Sequence, residues 1–108
     1  MINDLTPEKL DEIARLSRKS RADILAMTTL AGSGHPGGSL SSIDIYTMLY
    51  HTIDMDKDKV VISHGHTSPG VYSALARRGL FDPKEVIKGF RRVGSIFEGH
   101  VEPTVPGV

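Results

Sequence analysis

Cysteine and tryptophan are both absent from the 108 residues of this chain. Without cysteine the chain can form neither a disulfide nor a thiolate metal site, and its absence fits a reducing compartment such as the cytoplasm. Apolar runs of about eighteen residues are missing, and no basic stretch leads into an apolar one near the N-terminus. We therefore expect neither a transmembrane helix nor a signal peptide.

An excess of charge of either sign is also missing, because thirteen basic residues balance thirteen acidic ones. A neutral chain gives no support to a nucleic-acid or membrane surface as partner. Histidine and glycine are plentiful in contrast, with five and eleven residues. The length allows one domain, and 39% hydrophobic residues permit a packed core.

Apolar periodicity predicts that most of the chain is helical. Thr6 and Pro7 are typical of an N-cap and a first helical residue, and the pattern then continues to about Ala31, with a break allowed at 17–20. Glycines at 32 and 34 end this helix. Three shorter helices are predicted at about 40–51, with Ser39, Ser41 or Ser42 as its cap, at 71–78, and from an Asp82 cap to about residue 90.

A single β-strand is predicted at Val60–Ile62, a short β-branched run of the kind found in buried parallel strands. One parallel strand alone would leave its backbone groups unpaired, so we expect its neighbours from another chain or from further sequence. The turn-like residues 103–108 also suggest a fragment or one piece of an assembly. The predicted fold class is α/β, a helix-rich N-terminal portion with one strand of a larger sheet.

Three predicted loops each carry histidine beside glycine: SGHPGG at 33–38, SHGHTS at 63–68 and GHVEP at 99–103. Glycine lets a ligand approach the backbone, and a neutral imidazole both donates and accepts a hydrogen bond and titrates near neutrality. Such groups can hold a diphosphate oxygen or move a proton at a sugar hydroxyl. One histidine beside glycine is usually an ordinary loop residue, but three such loops favour a site. His51, at a predicted helix C-terminus where partial positive charge is favourable, is interpreted as structural.

Two other sites are less well supported by the pattern. Zinc could be held by His64 and His66 joined by His35 or His100, but the chain has no cysteine, no helical ligand spacing and no interleaved carboxylates. The GxGxxG match at 32–37 follows a helix rather than a strand and contains a proline, so it does not predict a dinucleotide site.

These segments, in this order and spacing, resemble the N-terminal part of the transketolase family. The run AGSGHPGGS at 31–39 resembles the family's SGHPG segment, and VVISHGHTS at 60–68 resembles the strand and loop that usually read LSxGH. FRR at 90–92 and GHVE at 99–102 resemble the FR and GHPE segments. The resemblance covers the chain from about Leu10. It is nearest to the N-terminal subunits of split transketolases, in which two polypeptides share the work of one enzyme.

The resemblance implies a role for each matching histidine. His35 would face the thiazolium ring of thiamine diphosphate and the donor sugar's hydroxyls, and His100 would lie near the substrate's C1 hydroxyl, so both are expected to be catalytic. His66 would contact the cofactor diphosphate.

The resemblance also implies a lining for the same pocket. Ser33 and Gly34 would lie in it, and Gly65 would bind the cofactor together with His66 and Ser33. Arg91 matches a family arginine but receives no role, because a surface or interface charge is equally compatible with it.

The chain also departs from the family pattern. His64 stands where Asn or Lys is common and Val101 where Pro is common. The family's Gly-Asp-Gly motif and following Asn, which hold Mg²⁺, and the glutamate that activates the aminopyrimidine would lie outside these 108 residues. No metal ligand is therefore expected here, and a diphosphate without a cation is costly to bind.

The resemblance thus implies a partial diphosphate-binding domain over residues 1–108. The complete cytoplasmic enzyme would transfer a two-carbon ketol unit from a ketose phosphate to an aldose phosphate with thiamine diphosphate and Mg²⁺. We expect partner chains that carry the metal motif and the pyrimidine domain, and an isolated chain that is inactive. Three alternatives stay open: an enzyme like deoxyxylulose-phosphate synthase, a non-catalytic piece that completes a partner's fold, and a sequence that stops early.

Overall fold

The computed structural model describes residues 5–34, 36–63, 65–101 and 103–108. Within these residues the chain forms helices α1 (Pro7–Ala31), α2 (Pro36–Thr52), α3 (Ser68–Arg78) and α4 (Pro83–Gly89), with a 3-10 helix at Gly65–Thr67 directly before α3. The predicted helix-rich character is confirmed. No helix in the described part of the chain is long and apolar enough to cross a membrane.

Helix α1 begins and ends as its sequence predicts. The Thr6 hydroxyl accepts a hydrogen bond from the Lys9 amide at 3.1 Å, and Gly32 ends the helix with a left-handed φ of 66°. The allowed break at 17–20 does not occur. Its serines are buried, and the Ser17 hydroxyl donates a hydrogen bond to Asp44 of α2 instead of competing for the backbone of its own helix.

Two helices begin earlier than predicted. Helix α2 starts at Pro36, whose fixed φ suits a first helical position, and α3 starts at Ser68 rather than at residue 71. Ser39 therefore lies inside α2 and is not its cap. Its Oγ accepts a hydrogen bond from the Gly70 amide at 3.0 Å, which joins α2 to α3.

The predicted strand at Val60–Ile62 is wrong, because the described residues contain no β-strand. A strand exists only where a neighbouring backbone completes the hydrogen-bond ladder, and no described segment does so here. Val60 and Ile62 pack partly against the core while Val61 is 88% exposed. The described fold is therefore helical, and the α/β prediction fails in its sheet component.

Helices α1, α2, α3 and α4 pack around one core, which also takes in side chains that follow α4. Its fully buried large side chains are Ile24, Met27, Ile43, Val71, Tyr72, Leu75, Val86 and Phe90. The predicted inward residues of α3 are confirmed by this arrangement. Burial of this apolar surface is the main force that holds the helices together.

A bidentate ion pair joins α1 to α3. Arg77 donates from Nε and Nη2 to the two Asp23 carboxylate oxygens at 2.8 and 2.7 Å, and the Ser73 hydroxyl donates to the same carboxylate at 3.1 Å. The hydrogen bond with Asp23 raises the pKa of Arg77 above its usual value. Because Asp23 is buried, this pairing supplies the charge compensation that its carboxylate needs.

His51 is buried at the end of α2, with Nδ1 2.9 Å from the Thr47 carbonyl oxygen. Burial lowers the pKa of His51 below its usual 6.5 and outweighs the hydrogen bond to Thr47. Desolvation therefore dominates over the helix dipole, which on its own would favour positive charge at this helix end.

Candidate functional site

His66 of the 3-10 helix lies against Gly38 in the first turn of α2. A Cβ atom added at Gly38 would be 3.6 Å from His66 Nε2 and 3.3 Å from Thr67 Cγ2. The buried Thr67 hydroxyl is hydrogen-bonded to the Tyr46 hydroxyl at 2.7 Å, which fixes the 3-10 helix to α2. Glycine at residue 38 thus leaves the room in which the exposed His66 imidazole approaches the helix.

His100 makes a similar contact with Gly65, the residue before His66. A Cβ at Gly65 would be 3.3 Å from His100 Cδ2. The Val101 amide also donates a hydrogen bond to the Gly65 carbonyl at 3.0 Å. These two contacts bring the second and third histidine–glycine loops together.

Arg91 lies in the same way over Gly99, the residue before His100. A Cβ at Gly99 would overlap Arg91 Nη1 and would lie 3.2 Å from Cζ. Three glycines, at 38, 65 and 99, are therefore covered by His66, His100 and Arg91 respectively. We call this arrangement the glycine series.

Tyr72 of α3 fixes the backbone at His100. Its hydroxyl donates a hydrogen bond to the His100 carbonyl at 3.0 Å, and its buried ring packs edge-on against Phe97 with centroids 5.6 Å apart. The His100 side chain itself is exposed. A group with a fixed backbone and an accessible imidazole can present a hydrogen-bond donor or acceptor to a ligand.

The first histidine–glycine loop is described only in part, because His35 lies outside the described residues. Ser33 follows α1 and is exposed. Gly34 has a φ of 125°, and a Cβ there would be 3.0 Å from Thr28 Cγ2 and 3.1 Å from Phe90 Cε2. The described contacts do not link Ser33 to His66 or His100.

Arginines and His100 line an open cleft of about 660 Å³ beside the glycine series. Its lining includes Arg91, Arg92, Glu98 and His100. Arg92 Nη2 donates to the Leu30 carbonyl at 3.1 Å, which ties this segment to the C-terminal end of α1. The cleft carries more positive than negative side chains and so favours an anionic ligand.

Two features of this site were not assigned by sequence reasoning. Tyr72 looks like an ordinary core aromatic, and its hydrogen bond to a residue 28 positions away has no local signal. Arg91 had a signal, its match to a family arginine, but its contact with Gly99 depends on the path of the chain after α4.

Metal-ligating groups of three or more His, Cys, Asp or Glu side chains do not occur among the described residues. The zinc alternative cannot be built from His66 and His100 alone, since zinc sites use three or four protein ligands. Its other candidates, His35 and His64, lie outside the described residues.

Residues 14–108 match the family model described as "Transketolase, thiamine diphosphate binding domain". The chain therefore belongs to the transketolase family and matches its thiamine-diphosphate-binding domain, which confirms the resemblance found in the sequence. None of the solved protein structures matches the chain significantly.

Curated relatives include both long transketolases and separate subunits. Mouse transketolase is 31% identical over 105 residues, which cover 89% of this chain and 17% of that protein. One of the two subunits of an apulose-4-phosphate transketolase from Phocaeicola vulgatus is 33% identical over 101 residues, 85% of this chain and 36% of that polypeptide. A 6-deoxy-6-sulfo-D-fructose transketolase subunit from a Clostridium species is 29% identical over 102 residues, 82% of this chain and 37% of that polypeptide. The chain thus spans well under half of each relative.

Proposed function

We propose that this chain forms part of the diphosphate-binding domain of a transketolase that moves a two-carbon ketol unit from a ketose phosphate to an aldose phosphate. The observation that carries the proposal is the glycine series, in which His66 lies against Gly38 and His100 against Gly65. Two segments that match family motifs are thereby joined next to the start of α2, which follows the third motif.

The residues of this site fit thiamine diphosphate. Gly38 and Gly65 carry no side chains that would cover the backbone, and the exposed His66 imidazole can donate a hydrogen bond to a diphosphate oxygen. Ser33 and Gly65 would complete the cofactor contacts. When bound, thiamine diphosphate supplies the nucleophilic carbon that cleaves a ketose beside its carbonyl.

His100 is proposed to act on the substrate rather than on the cofactor. It lies beyond Gly65 from His66, and its exposed ring can exchange a proton at the substrate's C1 hydroxyl. The fixed carbonyl of His100, held by Tyr72, limits the positions that this ring can take. The second catalytic role, at the donor sugar's hydroxyls, is proposed for His35 from the family motif alone.

Magnesium and the activating glutamate are proposed to come from other chains. A diphosphate carries about three negative charges, and a histidine such as His66 cannot replace a divalent cation beside it. The described residues hold no group of metal-ligating side chains. We therefore propose a cytoplasmic assembly in which partner chains carry the Gly-Asp-Gly motif and the pyrimidine-binding domain. The two relatives named as subunits support this division of labour.

The substrate is proposed to be a sugar with a terminal anionic group. Two relatives carry such a group in the names of their substrates, a phosphate in apulose-4-phosphate and a sulfo group in 6-deoxy-6-sulfo-D-fructose. The positive cleft beside His100 is compatible with a substrate of this class.

Isothermal titration calorimetry with thiamine diphosphate and Mg²⁺ tests this proposal on the chain mixed with its candidate partner chains. We expect a complex in native mass spectrometry, binding that His66→Ala weakens by at least about tenfold, and ketol transfer from fructose 6-phosphate that His100→Ala removes. Transfer from pyruvate instead would favour an enzyme like deoxyxylulose-phosphate synthase. The absence of both complex and activity would contradict the proposal.

A further inference from the structure

Arg91 is the only non-glycine residue in the described part of the chain with a positive φ, at 56°. A side chain in the left-handed region costs roughly 1–2 kcal/mol, so the surrounding structure must hold it there. The Arg91 amide donates to the Phe97 carbonyl at 2.7 Å, which closes the segment between them. Phe97 is in turn buried against Tyr72 and Phe81. The unusual backbone is thus anchored in the core.

The consequence of this backbone is the placement of the guanidinium over Gly99. Because any larger residue at position 99 would overlap Nη1, the guanidinium lies directly against the backbone next to His100. No described residue accepts a hydrogen bond from it, and no described carboxylate pairs with it within 4.0 Å. Glu98, the acidic residue of the same cleft, also makes no such pair. The donor groups of Arg91 are therefore available to a ligand.

An arginine with free donors is suited to one class of ligand in particular. A guanidinium presents parallel N–H groups that match two oxygens of a phosphate, sulfonate or carboxylate. Arg92 and His100 line the same cleft and add to its positive potential. The cleft is open and has room for a group of this size.

We propose that Arg91 binds the terminal phosphate or sulfonate of the sugar substrate over Gly99, beside His100. This inference rests on the proposed function, which places the reacting end of the sugar at His100. The glycine series separates this subsite from the cofactor, since His66 lies at Gly38 and Arg91 at the opposite end of the series. A substrate held at both Arg91 and His100 would be anchored at its anionic and reacting ends.

Nuclear magnetic resonance of the full ¹⁵N-labelled chain tests the subsite without catalysis. Inorganic phosphate is titrated at constant ionic strength against chloride, and the Gly99 amide and the Arg91 Nε–H are followed. We expect saturable shifts at both, at least about tenfold weaker binding in Arg91→Met, and partial recovery in Arg91→Lys, which keeps the charge but not the fork. Arg18→Met, an exposed arginine of α1, is the matched control and should bind as the wild type does. Circular dichroism verifies that each variant is folded.

A second titration compares fructose 6-phosphate with fructose and separates a binding role from a merely structural one. If Arg91 binds the phosphate, Arg91→Met removes the advantage of fructose 6-phosphate over fructose. Equal loss for both sugars, or phosphate binding unaffected by Arg91→Met, would overturn the subsite. Displacement of phosphate from Arg91 by thiamine diphosphate would also overturn it, because the arginine would then belong to the cofactor. Cofactor binding at Gly38 and His66 is followed separately, so loss of that signal with an intact Arg91 response counts against the proposed function alone.

Discussion

The buried Tyr72 hydroxyl donates a hydrogen bond to the backbone carbonyl of the exposed residue His100. Tyr72→Phe removes this bond and little else. We expect a loss of about 1 kcal/mol in the free energy of unfolding, measured with urea, because the carbonyl loses one partner. We also expect greater mobility of the His100 ring in NMR relaxation. Tyr50→Phe is the control, since no described residue is hydrogen-bonded to that hydroxyl. Equal His100 mobility in both variants would contradict this role for Tyr72.

Adjacent glycines in the first turn of α2 give a matched pair of substitutions. Gly38→Ala would place a methyl 3.3 Å from Thr67 Cγ2 and 3.6 Å from His66 Nε2, whereas Gly37→Ala meets nothing within 4 Å. We expect Gly38→Ala to displace His66 and to weaken thiamine diphosphate binding by about tenfold or more in the assembled enzyme. Gly37→Ala should bind normally and be slightly more stable, since alanine favours helix. Calorimetry measures both, and equal affinities would refute the role of the glycine series.

Two arginine–aspartate pairs predict unequal effects on stability. Arg77→Met leaves the buried Asp23 carboxylate without its cation, and we expect a loss of about 3 kcal/mol in the free energy of unfolding. Arg21→Met breaks a pair whose Asp44 side chain is 65% exposed, and we expect a loss below about 1 kcal/mol. Urea unfolding followed by circular dichroism compares them. Equal losses would mean that the Asp23 pair contributes no more than a surface pair.

His51 predicts a dependence of stability on pH. Burial lowers the pKa of His51 in the folded chain below its usual 6.5, with Lys9 and Arg78 adding to this shift and Glu12 opposing it. The unfolded chain therefore binds more protons as the pH falls below about 6.5, and the free energy of unfolding falls with it. Urea midpoints at pH 7.5 and 5.5 should differ less in His51→Gln than in the wild type. His100→Gln, at an exposed position, should keep the wild-type difference, and a wild-type difference in His51→Gln would exclude this origin.

Helix ends were predictable because the signals that set them are local. Thr6 and Asp82 cap α1 and α4 with their own side chains, and Gly32 and Gly79 adopt the left-handed conformation at the C-termini of α1 and α3. These interactions need only the few residues around them. Prediction failed where a partner lies far along the chain, as for Ser39, which bonds Gly70 rather than its own helix N-terminus.

The strand and the site were predictable only in part, for the same reason. Val60–Ile62 has the composition of a strand, but composition cannot supply the neighbouring backbone on which a strand depends. The histidine–glycine motifs singled out His66 and His100 as candidates, and the structure brings their loops together. Their contacts with Gly38 and Gly65 depend on packing between segments that the motifs do not specify.

The hydrogen bonds that build the site span long stretches of chain, 28 residues from Tyr72 to His100 and 31 from Ser39 to Gly70. Such closures cost chain entropy and form after the local turns of the helices. The candidate site therefore has no nucleus of its own, and it should assemble late in folding, once α2, α3 and the segment after α4 have come together. Its persistence is then set by how rarely the whole chain opens, rather than by the rigidity of any one loop.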